Sequence, residues 1–302
     1  MKISYSAPAK VILSGEHAVV YGKQALVTAI NLRLIFTILS RSSKDGNDYK
    51  EIFFISKEVK NYLKKQKINF VDKPFNFKID SKIPIGRGLG SSAALSVASV
   101  AAFLEFYTGR QFKKEIVNDL AFEIEKHFHQ NPSGVDNSAA CFGGLILYQK
   151  NVKIKNLDFK IPKNIEEKLF LIDSGKPKET TGEMVDFVGA KSVGKILGEI
   201  EITTKKLVES LVKENINLFK ESLVNNENLL EQLGIVSEKT KKLLSSLSKF
   251  GVGKVTGAGG KKTDSGFVIF LAEDKDGLEE FLKKRKIAYY KFIPDNKGLR
   301  RI

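Results

Sequence analysis

PIGRGLGSSAA, residues 84–94, decides how the rest of the chain is read. It follows FNFKID (75–80), in which Phe75, Phe77 and Ile79 alternate with polar residues as in a strand. It leads into LSVASVAAFL, a run apolar almost all round, which predicts a central buried helix. Gly86, Gly88 and Gly90 allow positive φ and close approach of backbone to a ligand. With Ser91, Ser92 and Ala93 they form a strand-to-helix turn whose first amides lack helical partners, an arrangement suited to phosphate. No GKS or GKT follows, and Ser91 stands where GxGxxG needs its third glycine. A plain glycine-rich turn before a core helix would use the same residues.

Upstream, residues 2–13 read as extended and interrupted at Pro8, with Lys10 just before the apolar pair Val11-Ile12. A lysine in such company either snorkels or serves chemistry. The polar segment SGEHAVVYG (14–22) follows, with Glu16 and His17 adjacent. Residues 32–39 and 49–56 read as two strands, with Asp45-Gly46 as their hairpin signal. Residues 57–67 read as a short basic helix.

Downstream, residues 113–128 predict a helix with the stripe Ile116, Val117, Leu120, Ala121 and Ile124. Glu125 lies at the stripe's edge, either as a boundary residue paired with a lysine or as a metal ligand. In HQNPSGVDNSAA (129–140), Ser133 and Asp136 fit a capping-box variant. Alternatively, Asp136 faces a cleft beside a lysine and accepts a proton. Strands are expected at 143–149 and 169–175, and helices over 179–213, 215–232 and 237–249. The run 250–271 reads as strand, second Gly-rich turn (KVTGAGG) and strand, followed by a helix at 276–285 and an extended segment at 287–293. Strand pairing with helices on one face suggests an α+β second domain.

Composition narrows the classes. The chain has 302 residues, 42% hydrophobic and 28% charged, enough for a sizeable core. Its single cysteine, Cys141, excludes an intramolecular disulfide and a cysteine-based zinc cluster. The net charge of +15 suits anionic partners. The lysines are scattered, however, without the basic-aromatic stripe of a nucleic-acid binder, so neither nucleic acid nor membrane is expected as a partner. No signal peptide or membrane span is expected, and the location expected is cytoplasmic.

SAPAKVILSGEHAVVYG, PIGRGLGSSAA and KVTGAGG together resemble, in order and spacing, the three motifs of the GHMP kinase superfamily. Within it, GEHAVVYG, the span from Glu125 to Asp136 with NPSGVDN, and DSGKPKETTGEMV (173–185) resemble the mevalonate kinase family. The resemblance implies an α+β, two-domain fold: an N-terminal α/β domain (1–180) with the Gly-rich phosphate loop, a ferredoxin-like α+β domain (181–302), and an active site in the cleft between them. It implies transfer of the ATP γ-phosphoryl group to the 5-hydroxyl of mevalonate, with Mg²⁺. Position by position, it implies Asp136 and Lys10 as catalytic residues. Gly86, Gly88, Leu89, Gly90, Ser91, Ser92 and Ala93 would bind the ATP phosphates. Ser92 and Glu125 would hold the metal. Glu16, His17, Ser133, Gly257 and Ala258 would line the substrate, with His17 a candidate donor to its carboxylate. A homodimer is compatible with the resemblance. Two departures stand out: Gln130 where the family has glycine, and the longer turn GAGGKKTDSG, whose Lys261 and Lys262 read as a solvated loop tip. Another small-molecule kinase of the superfamily, for phosphomevalonate or a sugar, and a non-enzymatic binder of anions or nucleic acid are the alternative readings.

Overall fold

The computed structural model describes residues 2–40, 50–128, 132–150, 152 and 155–302. The first sheet begins with the antiparallel pair β1 (Lys2–Ser14) and β2 (Gln24–Ser40). In β1 every residue after Lys2 is buried. The strand runs straight through Pro8, and a register shift between Pro8 and Ala9 absorbs the missing amide donor. β2 is long enough to share its other edge between two partners. Residues 34–40 pair with β3 (Phe75–Ser81), and residues 24–28 pair with β4 (Leu145–Gln149). β5 (Lys155–Asn156) extends the β4 side.

The segment expected as a strand at 49–56 is instead the start of a helix, α1 (Lys50–Lys65). Ile52, Ile55, Ser56, Val59 and Leu63 are its buried residues, a helical spacing that the β-prone run KEIFFIS conceals until it is read together with EVKNYL. The hairpin signal Asp45-Gly46 lies outside the described residues, as do His129, Gln130 and Asn131.

α2 (Ser91–Thr108) follows the Gly-rich loop and is buried on nearly all sides against β1, β2, α3 (Lys114–Phe128) and α4 (Val135–Phe142). Among the described residues it is the single helix long and apolar enough to cross a membrane. Its burial inside the fold makes it a core helix.

After α5 (Lys163–Glu166), β6 (Leu169–Asp173) opens the second sheet. α6 (Thr181–Gly189), α7 (Gly194–Val212), α8 (Ile216–Leu233) and α9 (Glu238–Leu247) intervene before β7 (Gly251–Val255) and β8 (Phe267–Ala272). α10 (Lys275–Lys284) and β9 (Tyr289–Lys291) complete the unit. The spatial order β7-β8-β6-β9 is fully antiparallel, the split βαβ arrangement of a ferredoxin-like sheet. β6 pairs only within this second sheet, so a division at residue 180 would cut it away from its partners. The helical region expected over 179–213 consists of two helices, α6 starting at a Thr180–Glu183 capping box. β10 (Arg300–Arg301) returns to pair with β1. Arg33 anchors this tail through Asp295 and the carbonyls of Ser6 and Gly298.

One apolar core runs across both sheets, with Leu13, Phe36 and Phe103 on one side and Leu207, Phe267 and Ile269 on the other. Polar ties mark the seam. Ile12 N–H donates to Thr256 Oγ1 (2.9 Å), Thr256 Oγ1 donates to the Ile12 carbonyl (3.1 Å), and Ser14 Oγ meets Thr204 Oγ1 (2.7 Å). Arg87, in the Gly-rich loop, pairs with Asp173 at the end of β6. The end of β1, the loop before α2 and the end of β7 therefore converge.

Candidate active site

Lys10 sits in β1, and its amide donates to the Leu89 carbonyl (3.0 Å), which ties the strand to the Gly-rich loop. Its side chain runs under Gly90, where an added Cβ would lie 3.0 Å from Lys10 Cγ. Its ammonium ends 3.0 Å from Asp136 Oδ1. The lysine side chain is 3% exposed and the aspartate 39%, so the pair lies at a surface opening with its cationic end enclosed. Asp136 is in the first turn of α4, as expected, but the cap differs from the capping box. Gly134, left-handed at φ 87°, is the N-cap, and Ser133 Oγ accepts from Val135 N–H (3.3 Å). The Ser133 carbonyl is held by the Tyr148 hydroxyl. With no capping duty, the Asp136 carboxylate is left to meet Lys10.

The loop wraps the start of α2. Gly90 at φ 74° is the N-cap, with no side chain capping the helix, while Leu89 and Ala93 point into the core. Gly88 has φ 84° and lies against the second Gly-rich turn: a Cβ there would be 2.7 Å from the Thr256 carbonyl. A Cβ on Gly257 would conversely be 2.9 Å from Gly88 Cα. Neither position admits a side chain, and the two turns touch backbone to backbone. Lys176 lies over Gly86, with its Cε 2.9 Å from where a Cβ would project. Tip residues Lys261 and Lys262 are exposed, as expected of a solvated tip, yet they fold back. The Lys261 ammonium sits 3.8 Å from the centre of the Phe187 ring, and Lys262 N–H donates to Glu179 Oε1 (3.1 Å).

Glu125 reaches the same helix from α3. Ser96 Oγ donates to its Oε1 (2.9 Å), and Ser92 Oγ is 3.5 Å from its Oε2. Glu125 is buried, whereas Ser92 is exposed at the helix start. No group of three or more His, Cys, Asp or Glu side chains that could hold a metal occurs among the described residues.

The turn after β1 carries Glu16 and His17, both buried. His17 adopts φ 58° and ψ −45°, a backbone state non-glycine residues rarely occupy. Its Nε2 is 3.0 Å from the Ala258 carbonyl, which can only accept, so Nε2 carries the hydrogen. Burial lowers the His17 pKa and favours the neutral ring. Nδ1 is then an acceptor, and it has no partner. With its Nε2–H directed at the Ala258 carbonyl, neutral His17 has no second N–H for the substrate carboxylate that the resemblance assigns it as a candidate donor to. It presents a lone pair instead.

The sequence reading gave no role to Glu16's partner. Lys254, on β7, is fully buried and ion-paired with Glu16 Oε1; Glu16 Oε2 has no hydrogen-bond partner. Lys254 Nζ also donates to the Ile12 carbonyl (3.3 Å). Burial pushes the Glu16 pKa up, and the Lys254 and Lys10 charges oppose that. Glu227, from α8, is also buried, and its Oε2 accepts from Val255 N–H (2.8 Å). Burial pushes its pKa up to about 7, opposed by that hydrogen bond and by Lys254. Lys254 opens the second Gly-rich cluster as an isolated lysine in an apolar strand, the same signal that marked Lys10. Nothing local marks Glu227, which shares its helix with two other glutamates, Glu221 and Glu231.

Two family matches cover much of the chain: the GHMP kinases N terminal domain over residues 54–144 and the GHMP kinases C terminal domain over residues 207–291. The mevalonate kinase of Archaeoglobus fulgidus is 33% identical over 270 residues, spanning 84% of this chain and 88% of its own. That of Pyrococcus furiosus is 32% identical, spanning 91% and 90%. The crystal structure of the Methanococcus jannaschii mevalonate kinase superposes with a TM-score of 0.81 at 27% identity, covering 97% of this chain and 98% of its own.

Proposed function

The chain belongs to the mevalonate kinase family of the GHMP kinases and is a kinase using ATP, and from that premise we propose that it transfers the ATP γ-phosphoryl group to the 5-hydroxyl of mevalonate at the site built around Lys10 and Asp136. The observation that carries the site assignment is the 3.0 Å contact between Lys10 and Asp136 beside the start of α2.

Phosphoryl transfer passes through a loose, highly charged transition state, so positioning and electrostatics do most of the work. In this reading, backbone amides at the start of α2 and the loop from Gly86 to Ala93 face the triphosphate. The enclosed Lys10 ammonium holds the Asp136 carboxylate in place, and Asp136 accepts or orients the proton of the attacking hydroxyl. Glu16 Oε2 and His17 Nδ1 are buried acceptors without partners, which suits an acceptor substrate that brings hydroxyl donors. The contacts of Gly257 with Gly88 and of Ala258 with His17 give these two a shaping role at the pocket wall. Ser133 supports the turn that presents Asp136.

Ser92 and Glu125 would hold Mg²⁺. One hydroxyl and one carboxylate, both hard oxygen donors, suit an ion that takes its remaining ligands from phosphate and water. Bound there, Mg²⁺ would neutralise developing phosphate charge. We further read the protein as a soluble cytoplasmic enzyme whose partners are mevalonate and ATP, without nucleic acid or membrane; the arrangement is compatible with a homodimer.

ATP consumption measured against mevalonate, phosphomevalonate, homoserine and galactose tests this reading. Turnover with mevalonate, dependent on Mg²⁺, is the expected result. Turnover with a different member of the panel, and none with mevalonate, would reject the substrate.

A further inference from the structure

We infer that Lys254 is a positioning residue for the phosphoryl-acceptor pocket: from the seam between the two sheets, its buried ammonium fixes the Glu16 carboxylate, whose second oxygen is left unpartnered toward the substrate. The inference rests on the functional reading above. Among the described residues, Lys254 is the one lysine in the set of largest fully buried side chains. Taking an ammonium and a carboxylate wholly out of water is expensive, and replacing such a pair by apolar groups is often neutral or stabilising. Stability alone therefore does not account for it. The seam is already tied by Thr256 to Ile12, by Ser14 to Thr204 and by His17 to Ala258, none of which needs a buried charge.

The contacts of Lys254 point the same way. It holds only one of the two Glu16 oxygens, and it also donates to the Ile12 carbonyl, two residues beyond Lys10. The segment from Lys10 to His17 is thus gripped from β7 at both ends of its turn. Glu227 on α8 lies near enough that its charge, when it ionises, favours the charged form of Lys254 against the burial that opposes it. Removing Lys254 would leave Glu16 as an unpaired buried carboxylate. It would then take up a proton, losing its charge and turning one acceptor oxygen into a donor, or turn away from the pocket.

Lys254→Met, assayed by steady-state kinetics, should raise the KM for mevalonate about tenfold or more while the KM for ATP stays within about twofold, since the ATP phosphates meet other residues. A merely structural role would lower the fraction of active enzyme, and hence apparent kcat, and leave both KM values in place. Lys254→Gln keeps a donor for the Ile12 carbonyl and should rescue part of the loss; it carries the test if Lys254→Met does not fold. Thr204→Val, which cuts the Ser14 tie from α7 without touching Lys254 or its acceptors, should lower stability and leave the mevalonate KM unchanged. A parental mevalonate KM in the folded Lys254 variants overturns the inference and leaves the functional reading standing. A parent protein that turns over no alcohol of the panel overturns the functional reading, and this inference with it. If the parent prefers another alcohol, the same KM comparison is made on that alcohol.

Discussion

Glu227 offers a prediction with a sign and a size. Its carboxyl is buried on α8, faces Lys254 on β7 and Glu16 in the turn after β1, has Glu231 one turn along its own helix, and accepts the Val255 amide. Burial raises its pKa from an ordinary 4.5 to about 7 in the folded protein. The folded state therefore holds a proton that the unfolded state has released. Stability from this group is fully present below pH 4.5 and is lost as pH rises through 7. The gap between the two pKa values corresponds to about 3 kcal/mol at 1.36 kcal/mol per pH unit. Glu227→Gln keeps the volume and an acceptor for Val255 and abolishes the titration. Urea unfolding of both proteins from pH 5 to pH 8 isolates the effect, because contributions from Glu16 and His17 are common to both. The parent should lose about 2–3 kcal/mol relative to Glu227→Gln across that range. A difference that stays flat with pH would refute the buried, proton-holding role of this carboxyl.

Other expectations follow from the site. Asp136→Asn should lower kcat by roughly 10²–10⁴-fold with the KM for ATP little changed, and Lys10→Met should fall in the same range; Asp136→Asn turning over at the parental rate would remove its proposed role. Gly88→Ala forces a Cβ to within 2.7 Å of the Thr256 carbonyl at φ 84°, so nucleotide affinity measured by calorimetry should drop along with melting temperature. Glu125→Gln should raise the Mg²⁺ concentration for half-maximal rate by about tenfold or more, with little change in the mevalonate KM; an unchanged Mg²⁺ dependence would take Glu125 out of the metal site.

Legibility in the sequence followed the range of the interactions involved. The Gly-rich loop, the all-apolar α2 and the stripe of α3 were readable because each is coded by neighbours within a few residues. α1 was misread at its start, since KEIFFIS is β-prone and only its packing against α2 selects the helical period. The capping reading of Ser133 failed because Gly134 takes the left-handed position and shifts the cap by one residue. His17 was recognised as a site residue, but its hydrogen-bond direction depends on the Ala258 carbonyl, 241 residues away.

Local chemistry thus determined which segments could bind phosphate and which side chains could act: three glycines before a helix, a lysine within an apolar strand, a carboxylate freed at a helix start. These follow from backbone stereochemistry and side-chain type, which chain neighbours set. Tertiary structure alone decided which charge meets which. Lys10 reaches Asp136, and Lys254 reaches Glu16, because strands and helices far apart in the chain close over one buried seam, and in that low-dielectric interior a charge is stable only where the fold delivers its partner.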